Sequence, residues 1–352
     1  MNPKYIPLRL ANKVRSIRYN TYGRLRTVQP ELHMPPALID ASLGTKNAGD
    51  EIIMYFANKQ LTRLWPNYGF YRIPKHGFTC TIDEEQQNAL KILCGTNALS
   101  AYSDIYCSFA LPADPKFYYR SVLLLAVGIS NIKYVSTFNR PTQQFLRTIL
   151  TPKWVHSVRD SNTARQLQKA GIANVVNTSC VTMWDLTPEF CKTIPTSKKR
   201  DVLTTITDYE FDSQQDQYML TTLCSEYENV YLWIQGSEDL KKVQTLHLPP
   251  NIQFIHGGFQ GLQQFVSTHH EIDYFGTRLH CGIYCLNNGI RSMIVEVDNR
   301  ARDIAVDTNL PTVQRAQLRD CMVSLIREDR ETNIVLPVEN IERWKNQFKS
   351  NQ

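Results

Sequence analysis

From residue 36 onward the chain repeats one rhythm: a short apolar run, a turn of small or polar residues, then apolar positions at helical spacing. Residues 37–43 read as a strand and 44–49 as a loop. From Asp50 onward, Ile53, Phe56, Ala57, Leu61 and Leu64 mark one face of a helix. Residues 121–127 form a continuous strand that stops at Gly128, the pattern of a strand covered on both faces. A proline-opened helix at 141–150 follows, then a strand at 154–158 and a helix running from a Ser161 cap to Gly171. The rhythm resumes at 202–206, 230–234, 252–255 and 293–297. Strands separated by helices pair in parallel, so the predicted class is α/β with doubly wound sheets. The polar stretch 193–200 interrupts the alternation and reads as a linker. The expected organisation is a basic arm at 1–35, a Rossmann-like domain at 36–192, the linker, a second Rossmann-like domain at 201–335, and a C-terminal helix at 336–352 that could return to either domain. The two domains are expected to face one another across a cleft.

Composition narrows the class of function. With 352 residues, 42% of them hydrophobic and 20% charged, the chain can bury two cores. A net charge of +6 is mild, and there is neither a long basic tail nor an aromatic-basic RNA motif, so no nucleic-acid partner is expected. The nine cysteines are odd in number and scattered, without a C-x-x-C pair, which suits reduced and mostly buried thiols. Cys281 and Cys285 lie one helical turn apart, but no His or second Cys pair completes a zinc set, so no metal is expected. The N-terminus lacks the apolar core of a signal peptide, and the longest apolar run, 122–127, is too short to span a bilayer. The expectation is a soluble cytoplasmic protein. Residues 1–26 qualify it: Ile6, Leu10, Val14 and Ile17 fall at helical spacing among Lys4, Arg9, Lys13, Arg15, Arg18, Arg24 and Arg26. Such a helix can lie on the anionic inner face of the plasma membrane as a peripheral contact, or pack on its own domain.

In open parallel sheets ligands sit beyond the carboxyl ends of the strands, so residues that follow a strand are the candidates. After the first strand come Asn47, Gly49 and Asp50, entering a helix whose N-terminus favours an anion. Asp50 taken alone reads first as the helix cap. The segment is not a G-x-G-x-x-G fingerprint, so a dinucleotide is not indicated. After the strand at 154–158 comes Arg159, whose guanidinium suits a phosphate or carboxylate; a surface pair with Asp160 competes with that reading. The sharpest segment is 274–282. A short strand ends at Gly276, Arg278 and His280 follow together, and a helix of small and apolar residues comes next. Arg278 can hold an anion bidentately, and His280 can move a proton near neutral pH. The next strand delivers Asp298, Arg300 and Arg302 to the same end of the same sheet.

In order, and over about 39–311, these segments resemble the polysaccharide pyruvyl transferase family. Asn47, Gly49 and Asp50 look like its Asn-x-Gly-Asp opening. Cys94, Gly95, Thr96 and Asn97 stand where it has a glycine-rich turn. Val158, Arg159 and Asp160 look like its Val-Arg-Asp segment, and residues 276–282 resemble its Arg-Leu-His-Gly signature. In this chain Cys281 intervenes between His280 and Gly282, and Arg300 stands where many members have Lys, which keeps the charge and alters reach and proton chemistry.

The resemblance implies a fold like the two-Rossmann (GT-B-like) glycosyltransferases. It also implies transfer of pyruvate from phosphoenolpyruvate, as a ketal, onto two hydroxyls of a hexose in an exopolysaccharide, capsule or cell-wall glycan or its lipid-linked oligosaccharide precursor. Phosphoenolpyruvate would be a co-substrate, and no cofactor or metal is implied. Arg159, Arg278, Leu279, His280 and Arg300 would form the donor site, with His280 as acid, Asp50 as base on the sugar hydroxyl, and Asn47, Gly49, Ser130 and Asp298 in support. Aromatic and proline-rich stretches at 71–78 and 101–119 are where acceptor choice is expected. Two rivals remain: a glycosyltransferase on the same two-domain architecture using a nucleotide sugar, and a non-catalytic glycan-binding subunit of a polysaccharide complex.

Overall fold

The structure, a computed structural model, describes residues 6–76, 88–107, 111–112, 114–130 and 137–349, with side chains from residue 9 onward. Lys4, the side chain of Ile6, Cys80, and residues 77–78, 108–110 and 113 of the two aromatic stretches lie outside what is described. The chain separates into two compact units, one of residues 1–45, 53–181 and 337–352, the other of residues 46–52 and 182–336. Both are parallel α/β structures.

In the first unit the helices are α1 (Ile6–Leu25), α2 (Ala48–Leu64), α3 (Arg140–Ile149) and α4 (Ser161–Lys169). Its strands are β1 (His33–Asp40), β2 (Arg72–Pro74), β3 (Ala89–Cys94), β4 (Leu99–Ser100), β5 (Val122–Leu125), β6 (Ile129–Ser130), β7 (His156–Val158) and β8 (Val175–Asn177). The first turn of α2 counts with the second unit. A parallel sheet runs β2-β1-β3-β5, and β4 pairs with β6 and β7 with β8, also in parallel. A parallel bridge between Val127 and Val158 ties the end of β5 to β7. Every residue of β5 is buried, as its unbroken apolar run requires.

The helix starts follow from local chemistry. Asn139 caps α3, its Oδ1 accepting the Thr142 N–H at 2.9 Å with Pro141 in the first turn. The cap of α4 is Asp160, not Ser161. Asp160 is still extended and its Oδ1 accepts the Thr163 N–H at 2.6 Å, while Ser161 is already helical. The C-terminal helix, α12 (Val338–Asn346) in the numbering completed below, belongs to this unit. Phe348 just beyond it stacks on Trp154 at 5.3 Å, and Gln347 both donates to and accepts from the Val155 backbone.

The second unit contains α5 (Pro188–Cys191), α6 (Ser213–Glu226), α7 (Asp239–Val243), α8 (Gly258–Thr268), α9 (Leu279–Asn287), α10 (Asn299–Thr308) and α11 (Leu318–Arg327). Its strands are β9 (Asp201–Thr204), β10 (Val230–Trp233), β11 (Ile252–Ile255), β12 (Ile272–Gly276), β13 (Ser292–Glu296) and β14 (Thr312–Gln314). All six pair in parallel, in the order β11-β10-β9-β12-β13-β14. Counted along the chain this is the Rossmann order, and it reverses direction between β9 and β12. Val202, Leu232, Phe275, Val295, Met219 and Leu223 form part of the core beneath it.

Residues 193–200 count with this unit. The Lys199 N–H donates to Asp273 at 3.2 Å, and Arg200 bonds Asp201 through Nε and Nη2 at 3.3 and 3.1 Å. The polar stretch is therefore fastened beside the starts of β9 and β12. Among the described residues no helix is long and apolar enough to cross a membrane.

Candidate functional site

The sequence-derived candidates divide between the units. Asn47, Gly49, Asp50, Arg278, Leu279, His280, Asp298 and Arg300 fall in the second, and Ser130 and Arg159 in the first.

Within the second unit the point where strand order reverses lies between the carboxyl ends of β9 and β12. There the backbone of Arg278 is held from both sides. Its N–H donates to Thr205 Oγ1 at 3.1 Å, and its carbonyl accepts from Tyr274 Oη at 2.8 Å. The Thr205 and Tyr274 hydroxyls are 2.8 Å apart, so with Tyr274 donating to Arg278, Thr205 donates to Tyr274. The Thr277 N–H closes onto the Thr205 carbonyl at 3.1 Å.

The guanidinium fixed by this backbone is buried and already paired. Its Nε and Nη2 donate to the two oxygens of Asp239, and Nη2 also reaches Asp208 Oδ1 at 2.9 Å. Asp239, fully buried, further accepts the N–H groups of Gly236 at 2.7 Å and Asp208 at 2.9 Å. Burial raises the Asp239 carboxyl above its ordinary value, with Arg278 and the Gly236 N–H pulling the other way. Burial also works against the charge on Arg278, but Tyr209, Asp239 and Asp208 outweigh it and hold its pKa above the ordinary arginine value.

Arg300 reaches the same place from β13. Asp298 caps α10 by accepting the Arg300 N–H at 2.9 Å, and its other oxygen takes Arg300 Nε at 2.7 Å. Arg300 Nη2 donates to Tyr209 Oη. The Arg278 and Arg300 guanidinium carbons lie 4.9 and 4.8 Å from the centroid of the one Tyr209 ring, within cation–π range. Arg300 is likewise held charged: burial opposes it, and Tyr209 and Asp298 more than compensate. The two guanidiniums differ in access, with side-chain exposures of 3% for Arg278 and 17% for Arg300.

The Asn47 segment joins this edge at the end of β10. Asn47 Oδ1 accepts from the Gly49 N–H at 3.0 Å and from Gln235 Nε2 at 2.9 Å. The Ala48 N–H donates to the Gln235 carbonyl, and the Ser237 N–H to that of Lys46, each at 2.9 Å. Gly49 leaves room for this contact: a Cβ would come within 2.7 Å of Gln235 Nε2, so a larger residue would displace the Gln235 amide from Asn47. The helix cap is therefore Asn47, and Asp50 is the third residue of α2, half-buried. A Cβ on Gly236 would lie 2.7 Å from Arg278 Nη2, which places the segment one residue away from the paired guanidinium.

Leu279 and His280 open α9 and are both buried. The helix sits close on its sheet because position 282 is glycine: a Cβ there would meet Ile294 Cγ1 at 2.4 Å and Tyr274 Cε1 at 2.8 Å. Cys281 and Cys285 are buried on the same helix; burial, with Cys285 as its neighbour, raises the Cys281 thiol. Among the described residues no group of His, Cys, Asp or Glu is arranged to hold a metal ion.

In the first unit Arg159 follows β7 and is buried, so its contact with Asp160, 3.4 Å from Nε to Oδ2, is not a surface pair. Its Nη2 donates to Asn97 Oδ1, which brings the glycine-turn segment to it. Ser130, in β6, lies opposite Ser100 of β4.

Sequence reasoning did not single out Asp208, Tyr209, Gln235 and Asp239. The first three follow the carboxyl ends of β9 and β10, strands whose positions are legible in the sequence, so inspecting every strand end would have reached them. Asp239 lies at the start of a five-residue helix and carries no sequence signal.

The profile of the polysaccharide pyruvyl transferase family matches residues 47–299, more than half of the chain. The chain belongs to the polysaccharide pyruvyl transferase family. The family span opens on Asn47, includes the paired Arg278 and His280, and stops one residue short of Arg300. No curated protein is similar enough in sequence to stand as a relative. Solved structures similar to the chain include two of one enzyme. One is Methanocaldococcus jannaschii UDP-GlcNAc 2-epimerase in complex with UDP-GlcNAc and UDP, 9% identical over 88% of this chain and 83% of that one, with a TM-score of 0.47. The other is a structure of UDP-GlcNAc 2-epimerase from the same organism, 10% identical over 86% and 96%, with a TM-score of 0.46. The family makes the chain a transferase of polysaccharide biosynthesis with a glycan acceptor.

Proposed function

We propose that the protein transfers pyruvate from phosphoenolpyruvate onto two hydroxyls of a hexose in a glycan or its lipid-linked precursor, with the donor bound at the carboxyl edge of the second unit. The observation that carries this reading is the meeting of Arg278 and Arg300 on Tyr209 at the strand-order reversal, inside or at the border of the family span. Phosphoenolpyruvate carries a carboxylate and a phosphate, and its recognition needs cations in a site of low dielectric. Arg300, the more accessible guanidinium, is the group that grips the donor. Arg278 acts as a positioning residue: both arginines are paired, Arg300 with Asp298 and Tyr209, but Arg278 is the one enclosed by Asp239 and Asp208. Two buried atoms on this edge support a ligand: among the described residues Thr207 Oγ1 and Gln235 Oε1 find no hydrogen-bond partner. Arg159, tied to Asn97 and Asp160 within the first unit, is not needed for this reading.

The chemistry balances without a redox partner. His280 protonates the donor methylene carbon, and positive charge develops on the adjacent carbon. One sugar hydroxyl adds there with loss of its proton to Asp50. Phosphate then leaves, and the second hydroxyl closes the ketal by returning a proton to His280, while the proton taken up by Asp50 departs with the phosphate. The fixed cations stabilise the departing phosphate.

The test is phosphate release from phosphoenolpyruvate with a panel of hexosides, read by mass spectrometry for an acceptor heavier by one pyruvate less one water. His280→Gln should lower kcat roughly a hundredfold or more while the chain stays folded. Consumption of a nucleotide sugar with no phosphate released from phosphoenolpyruvate would sink the proposal.

A further inference from the structure

The first helix packs with the face the sequence does not favour. Asn12, Ser16 and Tyr19 are buried. Tyr19 Oη donates to the Pro112 carbonyl at 3.2 Å, Asn12 Nδ2 to that of Ile105 at 3.0 Å, and the Tyr19 ring meets Phe145 edge-on at 5.6 Å. Gly23 lets the helix approach α3, where a Cβ would lie 2.2 Å from Thr148 Oγ1. The apolar positions point to solvent instead: Leu10 is 63% exposed, Val14 58%, Ile17 60% and Leu25 78%. At roughly 100° per residue these four fall within one arc of about 80°. Lys13 and Arg24 line one side of the arc, Arg15 and Arg18 the other, and all four are exposed. Arg9 and Arg26 add to them, and no acidic residue occurs before Glu31.

An apolar stripe bordered on both sides by cations, on a helix already anchored by its opposite face, has the chemistry of a surface that enters an anionic lipid headgroup layer. We infer that α1 docks the protein on an anionic membrane surface, with Leu10, Val14, Ile17 and Leu25 in the interface and Lys13, Arg15, Arg18 and Arg24 against the lipid charge. The orientation follows from the buried face: Tyr19 and Asn12 turn toward the protein, so the apolar arc turns to the membrane with no rearrangement of the fold. This contact is independent of the transfer chemistry, and either can fail without the other.

Co-sedimentation of the full chain with vesicles tests it. Vesicles of phosphatidylserine in phosphatidylcholine should carry the protein down, phosphatidylcholine alone should not, and binding should fall as salt rises. Lys13→Gln and Arg18→Gln should each weaken binding about fivefold, and Val14→Glu at least about tenfold. All three positions face solvent, so circular dichroism and thermal unfolding should be unchanged. Absence of binding to the anionic vesicles, or binding indifferent to Val14→Glu in a folded protein, would overturn the inference. So would a concentration-dependent dimer abolished by Val14→Glu, which would give the stripe to a second copy of the chain.

Discussion

Asp239 is the residue on which the candidate site rests. One buried carboxylate accepts from the Nε and Nη2 of Arg278 and from two backbone N–H groups, at Asp208 and Gly236. It therefore sets the positions of the loops after β9 and β10 and of the guanidinium after β12. Removing one partner of a buried pair leaves the other desolvated and uncompensated. Asp239→Asn should cost about 3–5 kcal/mol in chemical denaturation. A loss below about 1 kcal/mol would show that the pair does not hold this edge together. At the same scale the sequence was legible in part. Arg278 and His280 stood out as an Arg and a His after a strand. The carboxylates that hold Arg278 lie 70 and 39 residues away along the chain, and nothing in residue type marks them as its partners.

At the scale of elements, α9 shows how a motif can be explained by packing before function. Gly282 is the glycine of the signature-like segment, and its place is set by the closeness of Ile294 and Tyr274. Gly282→Ala should force α9 off its sheet and destabilise the protein by about 1–3 kcal/mol, measured by urea unfolding. A variant as stable as the parent would mean that Ile294 yields easily. The first helix teaches the reverse lesson. Periodicity finds its apolar stripe correctly, but which face packs is decided by Tyr19, Asn12 and Gly23 meeting α3 and neighbouring loops, and the stripe is left outside. Helix caps show the same limit on a smaller span. Asp160 rather than Ser161, and Asn47 rather than Asp50, bond the free N–H groups, because the cap is whichever polar residue remains extended just before the first turn.

At the scale of the molecule, the first unit carries two buried basic groups that make stability depend on pH. His156 is enclosed between strands, its Nδ1 accepting the Leu124 N–H at 3.3 Å and its Nε2 donating to the Thr151 carbonyl at 3.0 Å. Burial lowers its pKa from 6.5 to about 4. Burial likewise lowers Lys91 from 10.5 to about 7, with Nζ donating to the Ala89 carbonyl at 2.8 Å. In both cases the unfolded chain binds the proton more tightly, so stability rises with pH through each window. The His156 contribution is complete above pH 6.5 and is lost as pH falls toward 4, amounting to about 3 kcal/mol. Comparing unfolding free energies at pH 4 and 7 for the parent and His156→Gln tests this. The variant should lose about 3 kcal/mol less on acidification, and equal losses would refute the assignment.

The sequence by itself determined the class of fold, because the alternation of apolar runs and helical periods leaves few architectures other than parallel α/β sheets. It also placed the ends of β12 and β13 to within a residue, and so where Arg278, His280, Asp298 and Arg300 stand, whereas the first strand, expected over 37–43, ends at Asp40. Only the tertiary structure decided the strand order in each sheet, since pairing depends on how crossovers pack and leaves no mark in local spacing. It alone decided that the Asn47 segment counts with the second unit, where Gln235 receives it. It alone decided that Arg278 is claimed by Asp239 while Arg300 keeps more exposure. Charge and periodicity are local properties that a sequence displays, whereas the choice of partner for a buried charge is made by whatever the fold brings within hydrogen-bond distance.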